Sequence, residues 1–497
     1  MSSKRFHAVY AIILGTILSL SGHSFAQKPI WSNSPVTINV YDRTRVDAWQ
    51  WFAAPPQTET YGYVESLLRV SVSQRIKNWD WQLELSQPSV LGLPEHSISP
   101  APQGQLGLGA TYYAANGNNT NAASAFLKQG FVRYHFGEPG TSLRVGRFEF
   151  NDGQETSPKN QTIVWLQNNR ISQRLIGNFG FSVAQRSFDG IDGHYGRGSW
   201  DLTGFAARAD QGVFNMNGNP ELNVDLQYAA FTKSELKQHV MWRVFAMDYH
   251  DGRTGLTKTD NRPLAVRSAE AALHQNIRIG TYGGNVLASI PAGAVNFDFL
   301  LWGVAQNGRW GVQDHAADAE AVEAGVQFTK VPAKPWLRGG WFRGSGDENN
   351  ADGEHNTFFQ VLPTPRVYAQ FPFYNLMNST DEFVQVLATP AKSLSLRSDV
   401  HWLQLTSNQD LWYQGGGAFD NKVFGYVGRS SSGASSFATV ADISANWQAS
   451  KTVALNLYYA HAFGKSVVEA IYPVDSNANY GYAEVAYRWG LATQSAK

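Results

Sequence analysis

The sequence predicts an all-β fold: an antiparallel transmembrane β-barrel of about 18 strands, preceded by a cleaved signal peptide. Three observations lead there. Short stretches alternating apolar and polar side chains recur to the end of the chain. Aromatic residues make up 13% of the chain although its mean hydropathy is −0.31. The N-terminus has the layout of an export signal.

That N-terminus comes first in the chain. Lys4 and Arg5 give a positive start, residues 8–20 are mostly apolar, and Ser24-Phe25-Ala26 fits a small-x-small cleavage site. The apolar run is short of the 18 or so residues that a membrane helix needs. We therefore expect residues 1–26 to be the signal and residues 27–497 to form one outer-membrane barrel. The chain has no cysteine, so no lipid-anchoring thiol follows the signal.

The strands follow from period-2 alternation, because successive side chains on a strand face opposite sides. Between residues 61 and 76 one column is Val64, Leu68, Val70, Val72 and Ile76, and the other is Glu65, Arg69, Ser71, Ser73 and Arg75. Oil on one face and charge on the other is what a lipid-facing wall around a wet lumen requires. The same reading predicts strands at 37–49, 61–76, 79–86, 126–136, 179–186, 200–208, 223–231, 240–249, 294–305, 321–329, 335–343, 394–405, 438–447, 453–461 and 480–489. At roughly 25 residues per strand and turn, the remaining length accommodates about 18 strands.

Between the strands, residues 88–125 are rich in Pro, Gly, Asn and Ala. They read equally well as a lid or constriction and as an exterior loop. Residues 252–263 and 344–356 are polar and turn-rich. The last strand sets Gly481, Tyr482, Val485, Tyr487 and Trp489 against Glu484 and Arg488. This is the kind of aromatic terminal strand that the barrel assembly machinery reads.

Charge narrows the function. The 40 basic residues balance the 40 acidic ones, which gives no reason to expect nucleic acid as a partner. No zinc-protease, paired-cysteine or phosphate-loop motif is present. Residues 428–433 (GRSSSG) have the wrong glycine spacing for a nucleophile elbow. We expect no enzyme activity, no metal and no cofactor. Arginine outnumbers lysine 25 to 15, and its planar fork suits carboxylates and phosphates.

Phase assigns many of these arginines to the lumen. Arg43, Arg45 and Asp47 oppose Ile38, Val40 and Val46. Arg69 and Arg75 oppose the column named above. Arg133 and His135 oppose Val132, Tyr134 and Phe136, and Arg397 and Asp399 oppose Leu394, Leu396, Val400 and Trp402. His401 shares the Arg397 face, which suggests a lumenal hydrogen-bond cluster. An arginine facing lipid at mid-membrane costs roughly 2–4 kcal/mol, so these residues should point inward. One stretch conflicts with itself: Leu143 and Val145 turn Arg147 outward, whereas Phe148 and Phe150 turn it inward. A bulge near Gly146 would place Arg147 and Glu149 in the lumen.

Several motifs resemble the alginate export family of outer-membrane proteins. The strongest is residues 357–378 (TFFQVLPTPRVYAQFPFYNLMN), followed by 394–405 and 410–418 (DLWYQGGGA). Residues 143–147 (LRVGR) and 186–190 (RSFDG) resemble its earlier motifs. The resemblance is clearest over 126–490. It implies a monomeric 18-stranded barrel whose alginate-exporting members pass an anionic uronate polymer through a loop-gated, arginine-lined constriction. On matching motifs it assigns Arg147, Asp189, Arg366 and Arg397 to that pathway; phase adds Arg45, Arg69, Arg133 and Asp399. The expected partners are an anionic polysaccharide or small anionic solute, outer-membrane lipid and the barrel assembly machinery. The alternatives are a porin for small sugars or anions and, from a different class, a barrel enzyme.

Overall fold

The computed structural model describes residues 35–137, 140–364 and 366–492; the expected signal, 1–26, lies outside them. Eighteen strands close into a barrel in which each pairs antiparallel with its neighbours in sequence. They are β1 (Val36–Gln50), β2 (Thr60–Ile76), β3 (Trp79–Leu91), β4 (Phe126–His135), β5 (Ser142–Phe148), β6 (Phe188–Arg197), β7 (Trp200–Asp210), β8 (Glu221–Glu235) and β9 (Val240–Asp251). The second half comprises β10 (Ile277–Ala292), β11 (Val295–Trp310), β12 (Gln313–Phe328), β13 (Trp336–Gly344), β14 (Thr380–Ala391), β15 (Leu394–Gln404), β16 (Ser436–Gln448), β17 (Val453–Gly464) and β18 (Asn477–Ala492). The ring shuts where β1 pairs with β18, Val40 opposite Trp489 and Arg45 opposite Glu484. Among the described residues no helix is long and apolar enough to cross a membrane.

The outer wall follows the predicted columns. Leu83, Val132, Val145, Leu301, Val384, Ile443 and Val485 are exposed on it, while the alternate residues are covered. The four strands that the sequence reading left out are β5, β6, β10 and β14. β6 carries Gly190, Gly193 and Gly196, and β10 carries Gly280, Gly283 and Gly284, so their alternation is diluted. The stretch predicted as a strand at 179–186 is instead loop, broken by positive φ at Phe179 and Gln185.

One end of the barrel has tight turns, such as Lys77-Asn78 and Gly198-Ser199; the other has the long connections 92–125, 149–187, 252–276, 345–379 and 405–435. In outer-membrane barrels the long loops lie outside and the short turns face the periplasm. β10, β11 and β12 each run 16 residues, whereas a tilted strand crosses the hydrocarbon in about 9–11. Their outer ends therefore clear the bilayer, and there the outward column turns charged: Arg278, Arg309, Asp314 and Asp318.

The long loops fold into the lumen and build two aromatic cores. In one, Phe148, Phe150, Phe188 and Phe205 of the wall region meet Ile163, Leu166, Phe358 and Phe359. In the other, Trp49 and Tyr480 meet Tyr112, Phe371, Phe373 and Trp412. Tyr112 belongs to helix α1 (Leu108–Ala115), so the 88–125 region packs inward through this helix while residues around 95–102 and 117–121 stay largely exposed.

The outward phase gives a direct expectation. Val400 lies between Val384 and Ala441 on the outer face, so Val400→Arg should destabilise the barrel by about 2–4 kcal/mol if the site is near mid-membrane. Ser395→Arg, on the opposite phase at the open periplasmic mouth, should leave stability within about 0.5 kcal/mol. Urea unfolding in lipid vesicles measures both, and the reverse ranking would invert the phase.

Candidate functional site

The lumenal cluster starts on β1, whose inward residues are Arg43, Arg45, Asp47 and Trp49. Arg45 pairs with Glu65 of β2, bonds Asp47 at 2.9 Å and lies 3.7 Å from Glu484 of β18. Arg43 lies 3.7 Å from both Glu65 and Glu484 and donates to the carbonyls of Gly180 and Ser182. The loop 149–187 thereby brings Phe181 inward. The Arg45 guanidinium stacks on its ring at 4.0 Å, and the guanidinium of Arg366, from the loop 345–379, stacks on the same ring at 3.6 Å. Arg397 of β15 pairs with Asp399 and donates to the Tyr368 carbonyl at 2.9 Å, while the Gln370 amide donates to Asp442 of β16. Arg45 and Arg366 therefore share the Phe181 ring of the loop 149–187, and Arg397 ties the loop that carries Arg366 to the wall through the Tyr368 carbonyl.

Two cavities flank this cluster. On the outer side a funnel of about 140 Å³ is lined by Phe179, Phe181, Phe214, Phe419 and Arg366. On the periplasmic side a vestibule of about 360 Å³ is lined by Tyr41, Ser395, Asn456, Glu484 and Arg488. Arg45 touches Phe181 of the first and Glu484 of the second. Arg366 differs from its neighbours. Its Nε donates to the Gln370 carbonyl, its Nη2 has no partner, and among the described residues no carboxylate lies within 4 Å of it.

The other predicted pathway residues separate from this group. Arg69 faces inward and clamps Glu84, Glu149 and Gln185, tying the wall to the loop 149–187. Burial pushes the Glu149 carboxyl up, but Arg69 and Lys128 outweigh it and hold the group at about 2. Arg133 faces the lumen 4.0 Å from Asp80, beside Arg144, which holds Asp192.

The expected bulge at Gly146 does not form. β4 and β5 stay in register from His135↔Ser142 to Gly130↔Arg147, so Arg147 keeps the outward phase of Val145. It pairs with Asp189, in line with Ile191, and donates to the carbonyls of Leu127, Gly218 and Asn219. Arg147 and Asp189 thus brace the outer wall. Phe148 and Phe150 misled the phase because they face an aromatic lumen instead of lipid.

Asp399, His401 and Asp442 lie close enough to hold a metal ion. Their atoms are largely engaged already: Asp399 by Arg397 and Gln385, Asp442 by Gln370 and Tyr458, and His401 Nδ1 by Asp381. The set reads as a hydrogen-bonded wall network in which Arg397 already supplies the cation.

Against this geometry, the model describing alginate export matches residues 102–476. The chain belongs to the alginate export family. No curated protein sequence matches it. Among solved structures, OccAB2 of Acinetobacter baumannii superposes with a TM-score of 0.57 at 8% identity, covering 92% of this chain and 98% of that one. OccK8 (OprE) of Pseudomonas aeruginosa gives 0.52 at 9% identity, covering 92% and 98%. Pseudomonas aeruginosa OpdK with vanillate gives 0.52 at 8% identity, covering 92% and 99%. At such identities the likeness is one of fold. Family and fold together make the protein a bacterial outer-membrane, porin-like channel.

This alginate export barrel also carries lumenal residues that sequence reasoning missed. Arg338 of β13 holds Asp298 and Glu323, and Arg170 from the loop 149–187 reaches the same Glu323 at 3.2 Å. Arg174 stacks on Trp302 at 4.5 Å. Glu65, Glu484 and Arg488 were visible as polar-column residues. Nothing local marked the loop-borne Phe181, Arg170 or Arg174, because a strand period carries no information about a loop that folds back into the barrel.

Proposed function

We propose that the barrel passes an anionic saccharide across the outer membrane through an eyelet at Arg366, framed from the wall by the ion-paired Arg45 and Arg397, with Arg69 and Arg133 lining the approach. Arg147 and Asp189 are left out because they lie on the outer wall. The observation that carries this reading is Arg366, a loop-borne guanidinium facing a cavity with no carboxylate beside it. A paired arginine contributes little net field; an unpaired one between low-dielectric walls attracts anions. A uronate that loses part of its hydration there regains hydrogen bonds from the guanidinium fork. Glu484 and Asp399 keep the local charge low enough for release.

The test is the reversal potential of the protein in planar bilayers under a salt gradient. Wild type is expected to prefer anions and Arg366→Glu to shift toward cations. An unchanged potential in folded Arg366→Glu would remove Arg366 from the pathway. A second reading, passage of small anionic solutes, is favoured by the funnel's volume of about 140 Å³, room for one ring at a time. Block by oligouronates but not by monomeric uronate supports the polymer, and the opposite pattern supports the small solute.

A further inference from the structure

We propose that the outer funnel above Arg366 is a binding site for a single-ring aromatic monocarboxylate. The inference rests on the reading of Arg366 as an anion-facing group, but not on passage through the channel.

The funnel's chemistry is one-sided. Phe179, Phe181, Phe214, Phe419 and Leu108 present rings and methyl groups, and Arg366 is its sole charged lining residue. Most of the polar side-chain atoms at its edge are already engaged. Thr111 donates its one hydroxyl proton to Gln105 Oε1 at 2.9 Å, with the Gly107 carbonyl at 3.2 Å as the alternative acceptor. Gln414 accepts from Arg429 and donates to the Pro372 carbonyl, and Tyr374 donates to Asp381. A sugar acid brings several hydroxyls that would lose water there without a replacement partner beyond the guanidinium, a cost that suits a cargo in passage and not a retained ligand. A flat apolar body loses nothing by entering, and its ring can stack on the phenylalanines.

Size points the same way. At about 140 Å³ the space is close to the roughly 150 Å³ apolar cavity known to hold one benzene ring. It holds one ring at a time, so a disaccharide or a peptide segment cannot lodge in it whole. A carboxylate on that ring would meet Arg366, which has no competing acid within 4 Å among the described residues. The pocket thus selects for one negative charge on one ring.

Titration calorimetry on the full-length, detergent-folded protein tests this with benzoate, benzyl alcohol and glucuronate as probes. Benzoate should bind at least about tenfold more tightly than either of the others, the value of one charge-assisted hydrogen bond. Arg366→Gln should weaken benzoate by about tenfold or more and leave benzyl alcohol unchanged. Ala114→Leu, which fills the funnel without touching the charge, should weaken both aromatic probes; it carries the test if Arg366→Gln does not fold. Glucuronate binding as tightly as benzoate, or benzoate binding unmoved by the folded variants, would overturn the proposal. Anion selectivity of the same preparation in bilayers separates the two readings: if it persists while benzoate fails to bind, the channel stands and the aromatic site falls.

Discussion

Arg45→Met is expected to cost the barrel about 3–5 kcal/mol of stability, the range for leaving buried charges without their partner. Arg45 is 1% exposed, and its partners Asp47 and Glu65 are 0% and 1% exposed. Methionine fills similar length, so lost packing contributes little. What remains is a pair of carboxylates under a lid of loops. Tyr480 still donates to Asp47, but Arg43, at 3.7 Å from Glu65, is the only other cation near it among the described residues. Urea unfolding in vesicles measures the loss. Adding Glu65→Gln should recover part of it, since one uncompensated charge is then gone. By contrast, Arg309→Ala removes an exposed pair with Asp314 and should change stability by no more than about 1 kcal/mol. If Arg45→Met falls within that same range, the cluster is hydrated and its charges are not held by Arg45.

The second large effect concerns the loops. Arg186 is fully buried and has no carboxylate partner among the described residues. It donates instead to four carbonyls: Gly177 and Leu362 at 3.0 Å, Gly416 at 3.0 Å and Ala418 at 3.1 Å. Burial pushes its guanidinium down to about 10, which leaves it charged at neutral pH. One side chain thus ties together the loops 149–187, 345–379 and 405–435. Each buried carbonyl left without a donor costs roughly 1–3 kcal/mol. Arg186→Met should therefore weaken loop docking by about 4 kcal/mol or more while the strand ladder persists. Single-channel recordings should show larger and noisier conductance, and limited proteolysis should cut the three loops in otherwise intact barrels. Unchanged conductance together with protected loops would mean that the aromatic cores alone hold the plug.

The alternation of oil and charge determined, from sequence alone, that this chain is a barrel, which columns face lipid, and that Arg45, Arg69, Arg133 and Arg397 point inward. Those facts are local: a strand's period of two residues fixes them wherever one face must meet hydrocarbon. The motif at 357–378 was also legible and carried the family. What only the tertiary structure decided lies in the loops. Phe148 and Phe150 read as lipid-facing until the lumen proved aromatic, and that error placed Arg147 inside. Residues 179–186 alternate like a strand, yet they are loop that brings Phe181 between two guanidinium groups. Arg186 reaches partners more than 170 residues away at Leu362 and more than 220 away at Gly416. No periodicity encodes such contacts, because they depend on which loop fills the space that the closed wall leaves. The wall was therefore written in the alternation, whereas the cluster around Phe181 and Arg366 arises only once the ring has closed and the loops have packed inside it.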